Sequence, residues 1–299
     1  MTNELRHSIV VLTYAREDIL AQTLARLADH LVGRDDYELI VVDNNPDRHD
    51  RQTLLNRFHQ AHVLWDGANK GVVARNLGLA AARGRHIVLL DDDVFIETPD
   101  FLDILGARFD ADPRLAAVTV SKYVRGDTRR RVDLVPHTDK SVDLTRPFET
   151  FRFVGGCVGF RAQALQQTGG FLPDFFYGLE EIELSYRLID AGWKILYEPA
   201  VVCEELEHPA GRRPKRLVQA DRLTNKLIIS FLHMPAPHVW INFLAFPPYA
   251  FFFAKGEMDV FRALRQFAAW LRKPGRPRRK PIRAQTQDYI RACGGSLWR

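Results

Sequence analysis

Three consecutive carboxylates, Asp91, Asp92 and Asp93, directly follow an apolar run at 87–90. In an extended chain, Asp91 and Asp93 point in the same direction. Like charges at this spacing raise each other's pKa unless a cation lies between them. Carboxylate oxygens suit Mg²⁺ or Mn²⁺, which usually also binds a phosphate of the substrate. The triplet therefore predicts a divalent-cation site that includes Asp91 and Asp93; a solvated acidic turn or a helix N-cap cluster is the alternative.

Two other apolar runs also end in polar residues. After the first run, Thr13 offers a hydroxyl, Tyr14 a ring that packs on a base, and Arg16 a contact for phosphate. Asp43 ends the second run, where its carboxylate can accept from a pyrimidine N–H. Dinucleotide-binding folds place a glycine-rich turn after the first strand, and this sequence has none there, which argues against NAD or FAD.

A third polar group, Asn69, Gly71 and Arg75, lies at the predicted start of a helix over 71–83. Backbone N–H groups and the helix dipole favour an anion at such a position. Simple capping of the helix by Asn69 is the alternative.

Short apolar runs alternate with amphipathic stretches through the first 120 residues, a pattern typical of a parallel α/β sheet. Because parallel strands end at one edge of a sheet, we expect the three polar groups to converge. The predicted strands cover 8–13, 38–43, 62–65, 86–91 and 115–120, with a helix over 17–31.

The second half of the chain is less regular. Residues 121–150 read as a loop or small flap, followed by a helix over 180–191, a strand pair at 194–197 and 201–208, and a helix over 217–232. The aromatic run 239–254 is shorter than the ~20 residues of a membrane span and is interrupted by Pro247 and Pro248. It predicts either a buried helical hairpin or a segment that lies in a membrane interface.

Composition and charge narrow the class of protein. Apolar residues make up 46% and charged residues 26% of the chain, which is typical of a globular protein. Three scattered cysteines and the absence of an N-terminal secretory signal favour a cytoplasmic location. From residue 255 onward 12 Lys/Arg face 3 Asp/Glu, a net charge of +9, which leaves −4 for residues 1–254. The basic segment 271–283 predicts docking on the inner face of an anionic membrane; without interleaved aromatics, it does not favour nucleic acid.

In this order and spacing, the motifs resemble those of family 2 glycosyltransferases with the GT-A fold, over about residues 6–210. The matching segments are VLTYAR, VVDNN, NKGVVARNLGL, LLDDDV, FVGGCVGFR, GGFLPDFFYGLEEIELSYRL and GWKILYEPA. The resemblance implies a Rossmann-like, mostly parallel sheet flanked by helices, with a helical C-terminal extension. It implies domains at 1–210 (a nucleotide-binding half, about 1–120, and an acceptor half, about 150–210) and 211–299.

The resemblance also implies roles for the residues above. One group would bind the nucleotide-sugar: Thr13, Tyr14, Arg16, Asp43, Asn69, Gly71, Arg75, Asp91, Asp92, Gly155 and Gly156. Mg²⁺ or Mn²⁺ would be held by Asp93, Asp91 and His208, with Asp93 the main ligand. Ordinary hydrogen bonding of a partly buried histidine is the alternative for His208.

The family's catalytic base is the second acid of a Glu-Asp pair that opens a helix. Here the pair is Glu180-Glu181, so glutamate replaces the usual aspartate and reaches one methylene further. Glu181 is the predicted base and Glu180 the fallback; acidic first-turn residues without catalytic function are the alternative. Inversion at the anomeric carbon follows from the resemblance alone.

The predicted function is transfer of a sugar from a UDP- or dTDP-sugar to a hydroxyl of a saccharide, a lipid-linked molecule or a small molecule. A nucleotidyltransferase and a non-catalytic nucleotide-sugar-binding module are the alternatives. The former usually carries a Gly-rich basic loop after the first strand, which this sequence lacks. The oligomeric state stays open, a homo-oligomer included.

Overall fold

The structure, a computed structural model, describes residues 5–129, 131, 134–139, 141–206, 213–253 and 257–297. Within these residues one mixed sheet of nine strands forms the centre of the molecule. The strands are β1 His7–Thr13, β2 Tyr37–Asp43, β3 Ala61–Trp65, β4 His86–Asp91, β5 Val94–Ile96, β6 Leu115–Val124, β7 Phe148–Thr150, β8 Cys157–Arg161 and β9 Lys194–Glu205.

The strand order is β3-β2-β1-β4-β8-β6-β9-β5, with β7 also paired to β9. Strands β3, β2, β1 and β4 are mutually parallel, and their carboxyl ends lie at one edge of the sheet. Strand β8 runs antiparallel to β4 and β6, whereas β6 and β9 are parallel. The convergence of the first strand ends predicted from the sequence is therefore confirmed.

Helices cover both faces of the sheet, which explains why its strands are apolar on both sides. They are α1 Glu17–His30, α2 Gln52–Leu55, α3 Arg75–Ala81, α4 Phe101–Ala111, α5 Ala162–Thr168, α6 Glu180–Asp190, α7 Lys215–His233, α8 His238–Phe253, α9 Val260–Arg272 and α10 Ala284–Ala292.

Alternate residues of one strand enter different cores, as the two-residue period of a strand requires. Ile9 and Val11 of β1 belong to one hydrophobic core with residues of α1 and α4, whereas Val10 belongs to a second core on the opposite face, with residues of α3, α5 and α6. Mixed α/β architecture with a mostly parallel sheet, the fold class predicted from the sequence, is confirmed.

Two sequence predictions about the second half are wrong. The expected strand pair at 194–208 is one strand, β9, because the chain passes Pro199 through an irregularity instead of a turn. Val120 pairs with Glu198 but the next residue of β6, Ser121, pairs with Val202, and the Glu198 carboxylate accepts from the N–H of Ala200. The predicted loop 121–150 also begins later than expected, since β6 continues to Val124.

The aromatic run at 239–253 is a single helix, α8, that contains both Pro247 and Pro248, so the predicted hairpin is wrong. In the part of the chain that the structure describes, no helix has the length and hydropathy needed to cross a membrane. Trp270, Ile282 and Ile290 share one hydrophobic core with residues of the sheet. The C-terminal segment is thus packed on the sheet, and the domain boundary near 210 stays a prediction.

Candidate active site

The loop after β1 is joined to the acidic triplet after β4. The hydroxyl of Thr13 donates to Oδ2 of Asp92 at 2.7 Å, and the backbone N–H of Tyr14 donates to the same oxygen at 3.3 Å. Arg16 forms ion pairs with Asp92, at 3.0 Å, and with Asp93. The triplet therefore lies against the first loop, as the sequence predicted, with Asp92 buried beneath it.

The three carboxylates of the triplet have different electrostatic surroundings. Burial raises the pKa of Asp92 to about 7, against the opposing effect of Arg16. The pKa of Asp93 is raised by burial and by the charge of Asp91. For Asp91, burial also raises the pKa, but Arg75 outweighs it and the net shift is downward. The charges of Asp91 and Asp93 thus repel each other, while an arginine pairs with each carboxylate.

Arg75 connects this strand end to the helix that carries the candidate base. Its guanidinium lies 2.5 Å from Oδ1 of Asp91 and 3.7 Å from Oε1 of Glu180, and its side chain is only 9% exposed. Glu180 is buried, and its Oε2 has no hydrogen-bond partner among the described residues. Burial and the neighbouring charge of Glu181 raise the pKa of Glu180. The guanidinium of Arg75 is therefore buried between Asp91 and Glu180 and does not face solvent.

Gly155 and Gly156 lie between Asp91 and Glu181. A Cβ atom on Gly155 would be 2.5 Å from Oε1 of Glu181, so only glycine leaves this carboxylate its present position. Gly156 has a positive φ of 95°, and its carbonyl accepts from the N–H of Asp91 at 2.8 Å. Glu181 itself is half-buried and lies in the first turn of α6. The glycine pair therefore brings the β4 end and the candidate base together.

Lys122 and Glu205 belong to the same site, although sequence reasoning did not identify them. Lys122 Nζ donates to the carbonyl of Gly155 at 2.9 Å and pairs with Glu205 at 2.8 Å. Burial lowers the pKa of Lys122, but Glu205, Asp91 and Glu181 outweigh it and raise the pKa overall. The sequence signal was a lysine within two residues of the end of a predicted buried strand.

The acid that ends β2 is held by internal contacts. Asp43 accepts from Nδ2 of Asn45, at 2.5 Å, and from Nε of Arg51, at 3.2 Å. The side-chain oxygen of Asn45 in turn accepts from the N–H of Ala15, at 3.0 Å, in the loop after β1. Asp43 thus supports the first loop through Asn45, and its side chain is only 1% exposed.

Asn69 and Gly71 form a turn rather than a helix cap. Asn69 accepts from the N–H of Gly71 at 2.9 Å and from Asn44 at 3.0 Å, and a 3₁₀ turn, Gly71–Ala74, precedes α3. Gly71 has a φ of 65°, and a Cβ there would collide with the carbonyl of Phe176. The glycine thus permits the close approach of this turn to the loop before α6, where Val72 N–H donates to the same carbonyl at 3.0 Å.

Helix α6, which carries Glu181, is also held by an ion-pair network around Glu183. Glu183 pairs with Arg187, at 2.7 Å, and with Nε2 of His233 at the end of α7, at 2.9 Å. Arg187 also donates to the carbonyls of Gly169 and Gly170, at 3.2 and 2.6 Å. Sequence reasoning missed His233, because nothing near it in the sequence indicates that α7 packs on α6.

A divalent cation fits the donor set at the edge of β4. His208, the third predicted ligand, lies outside the described residues. Among those residues, no group of three or more His, Cys, Asp or Glu side chains is arranged to hold a metal. Mg²⁺ and Mn²⁺ are commonly held by one or two carboxylates together with phosphates of the substrate. Asp91 and Asp93 supply such a pair, and burial together with the charge of Asp91 raises the pKa of Asp93.

Residues 8–169 match the profile of glycosyl transferase family 2. A pre-mycofactocin glycosyltransferase of Mycobacterium tuberculosis is 31% identical over 145 residues, which cover 46% of this chain and 30% of that protein. The chondroitin synthase of Escherichia coli is 26% identical over 275 residues, or 78% of this chain and 39% of the relative. This chain therefore spans well under half of these relatives.

Solved structures share the fold. The mannosyltransferase PcManGT of Pyrobaculum calidifontis, in complex with GDP-Man and Mn²⁺, superposes with a TM-score of 0.60 at 21% identity, covering 92% of this chain and 77% of that one. GalNAc-T7 with UDP, GalNAc and Mn²⁺ gives a TM-score of 0.56 at 18% identity, over 78% and 49%. These are GT-A structures, which confirms the predicted fold type. Since the family profile covers more than half of the chain, this protein belongs to glycosyl transferase family 2.

Proposed function

We propose that this chain transfers a sugar from a nucleotide-sugar to an acceptor hydroxyl, with inversion at the anomeric carbon. The observation that carries the proposal is the link through Arg75, which contacts Asp91 at the β4 end and Glu180 beside the candidate base. A donor held at the strand ends and an acceptor beside Glu181 would meet at Gly155. Membership of the family and the shared fold support the same activity.

Glu181 is our candidate for the base. It would accept the acceptor's proton as the new bond to the anomeric carbon forms and the bond to the diphosphate breaks. The N-terminal turn of α6 favours negative charge at this position. Glu180 is less suited, because it is buried against Arg75 and its pKa is raised, which favours the protonated form.

The loop after β1 would hold the nucleoside diphosphate. Tyr14 is half-buried, and its ring would pack on the base, as its place in the loop suggests. Asp43 would act through Asn45, which holds the N–H of Ala15, because its own oxygens are already hydrogen-bonded. We favour a UDP- or dTDP-sugar. Of the related structures, one holds UDP and another GDP-Man, and a panel of nucleotide-sugars distinguishes these classes.

Asp91 and Asp93 would hold Mg²⁺ or Mn²⁺, as their carboxylate oxygens and the repulsion between their charges suggest. When bound, such a cation neutralises the charge that develops on a departing diphosphate. Arg16, now paired with Asp93, would remain as a second positive group at the diphosphate. Lys122 would orient the Gly155 carbonyl and offset the charges of Asp91 and Glu181.

The proposal is tested first by donor binding. Thermal stabilisation is measured with UDP-, dTDP- and GDP-sugars, with Mn²⁺ or with excess chelator. A ligand at 100 times its dissociation constant adds ~2.7 kcal/mol to the free energy of unfolding, which a thermal scan resolves. We expect stabilisation by one nucleotide class that chelation and Asp93→Asn both weaken, whereas Asp110→Asn, an exposed control, leaves it unchanged. Equal stabilisation with chelator and with Asp93→Asn would contradict the metal assignment.

A second experiment distinguishes an effect on the chemical step from an effect on donor binding. Glu181→Gln should retain donor binding within a few-fold, while release of nucleoside diphosphate falls roughly 10²-fold or more, because only proton acceptance is removed. If Glu180→Gln were the inactive variant and Glu181→Gln were active, the catalytic base would be Glu180 and not Glu181. If no nucleotide-sugar bound at all, the proposed function would be wrong.

A further inference from the structure

Helix α8 exposes an apolar face to solvent. Trp240, Leu244 and Phe252 are 64%, 75% and 72% exposed, and Tyr249 and Phe251 are 63% and 55% exposed. The opposite side is buried, and Asn242 there donates to Ser230 of α7 at 3.1 Å. The segment His238–Phe253 contains no Lys, Arg, Asp or Glu, so no charge interrupts the exposed face. Contiguous exposed apolar surface of this kind marks an interaction site.

The neighbouring helix α9 extends this surface and adds positive charge. Phe261 is 74% exposed and packs edge-on against Phe251, with ring centroids 6.1 Å apart. Arg265 and Arg272 follow Phe261 at the fourth and eleventh positions, so they share its side of the helix. Both arginines are exposed. The two helices therefore present aromatic and aliphatic side chains with basic groups beside them.

The basic segment 271–283 is less available for docking than its sequence predicts. Arg276 lies over the rings of Phe231 and Trp270, at 4.9 and 5.4 Å. Arg279 donates to the carbonyls of Phe231, in the last turn of α7, and Met234, which follows the helix. Two lysines pair with carboxylates of the core: Lys273 with Asp174, and Lys280 with Asp190. Most of this segment thus attaches the C-terminal part to the sheet domain.

We propose that the exposed faces of α8 and α9 form a surface that docks on an anionic membrane. Trp, Tyr and Phe are the side chains that suit the boundary between headgroups and acyl chains, and basic groups beside them attract anionic lipid. Neither helix has the length and hydropathy to cross the bilayer, so the surface lies in the interface. Docking does not depend on the proposed sugar transfer, since these residues lie outside the candidate active site.

A second copy of the chain fits this surface less well than a membrane does. In a symmetric dimer the same patch faces itself, so Arg265 and Arg272 of both copies would approach each other. Several other basic groups of this region are already paired with carboxylates or backbone carbonyls, so the two exposed arginines carry this repulsion. The same charge complements an anionic bilayer.

The test is flotation of the full-length protein with vesicles of phosphatidylcholine alone or mixed equally with phosphatidylglycerol. We expect salt-sensitive binding to the mixed vesicles only. The variant Trp240→Gln, Leu244→Gln and Phe252→Gln should weaken binding roughly tenfold or more, because it removes apolar area that enters the interface. Its matched control is Val32→Gln, which changes a side chain that is 77% exposed on another surface. Donor hydrolysis should be equal in all three proteins.

A second pair of variants tests the charge. Arg265→Gln with Arg272→Gln should reduce binding to the mixed vesicles, whereas Arg114→Gln, an exposed arginine before β6, should not. Light scattering and circular dichroism establish that each variant is monodisperse and folded. The proposal is overturned if the wild type binds neither vesicle, if the triple variant binds as well as the wild type, or if the triple variant converts a stable dimer into a monomer.

Discussion

At the scale of single residues, the candidate base and Gly155 form one unit. Glu181 stands where the family pattern has aspartate, and its longer side chain occupies the space that a Cβ on Gly155 would need. We predict that Gly155→Ala displaces the carboxylate and lowers turnover, with donor binding retained. Because the collision involves the end of a flexible side chain, the fold should persist.

The prediction is tested by a double-mutant cycle on nucleoside diphosphate release. In the Gly155→Ala background, Glu181→Asp should restore part of the lost turnover, since aspartate is one methylene shorter and leaves room for the methyl group. In the wild-type background the same change should lower turnover. Additive effects of the two substitutions would show that Gly155 does not make room for the base.

Sequence reasoning at this scale reached residues whose neighbours in the chain indicate their role. Asp91, Asp93, Thr13 and Arg16 follow apolar strands directly, and the structure places them together. Lys122 also follows a predicted strand, within two residues, but its role depends on Glu205, and the two meet only through the pairing of β6 with β9. Asn45 was missed for a similar reason, since its link from Asp43 to Ala15 depends on two loops meeting.

At the scale of elements, the amino ends of β1 and β4 contain two buried histidines far from the candidate site. His7 and His86 have ring centroids 5.3 Å apart, and both nitrogens of His7 lack a hydrogen-bond partner among the described residues. Burial, the neighbouring His86, Arg6 and Arg34 lower the pKa of His7 from 6.5 to about 3, with Asp36 opposing. Burial likewise lowers the pKa of His86 to about 4, against Asp110.

These shifts predict acid sensitivity of the fold. A histidine whose pKa is lower in the folded chain binds fewer protons there than in the unfolded chain, so acid favours unfolding. The stabilisation is present above pH 6.5 and is lost as the pH falls toward about 4. Each histidine should contribute a slope of about 1.4 kcal/mol per pH unit within this window. His7→Phe should therefore reduce the slope of the unfolding free energy, measured with urea between these pH values.

The exposed His59 provides the control, since it has no comparable burial. His59→Gln should keep the wild-type slope, so that the difference between the two variants isolates the buried ring. An unchanged slope in His7→Phe would mean that carboxylates alone cause the acid sensitivity.

Elements whose apolar period is clear were predicted well, and long-range contacts explain the failures. Strands β1, β2 and β4 lie within a residue of their predicted bounds, because their runs are apolar on both faces. Strand β9 was divided at Pro199, a residue that a bulge accommodates only because β6 pairs on both sides of it. Helix α8 retains Pro247 and Pro248, whose effect on helix continuity the local sequence overstated.

At the scale of the whole molecule, the C-terminal segment completes the layer that covers the active-site helix. Ile282 and Lys280 donate backbone N–H groups to His233 and Leu232 at the end of α7, both at 2.9 Å. Asn225 of α7 donates to the carbonyl of Gly178 at 2.7 Å, in the loop that precedes Glu180. The acidic part of the chain, residues 1–254, and the basic part from residue 255 onward are therefore not structurally independent. The cytoplasmic location stays a prediction.

Asp190, the last residue of α6, makes the contact on which the final prediction depends. Its Oδ1 accepts from the backbone N–H of Arg283 and from the hydroxyl of Thr286, both at 2.8 Å, and its side chain is only 7% exposed. Burial raises its pKa, but the bonds from Arg283 and Thr286 outweigh burial and lower the pKa overall. The bonded form of Asp190 is therefore the carboxylate, which joins α6 to the start of α10.

We predict that Asp190→Ala lowers the free energy of unfolding by about 1.5–3 kcal/mol, because the hydrogen bonds that Arg283 and Thr286 donate to a buried charged group are lost. Urea denaturation measures this loss as a lower midpoint with an unchanged slope. Asp288→Ala is the matched control, since it changes a side chain that is 74% exposed and pairs with Arg291 of the same helix. An exposed pair contributes about 0–1 kcal/mol, so its midpoint should stay close to that of the wild type. Equal midpoints for the two variants would show that α10 is attached by its apolar residues alone.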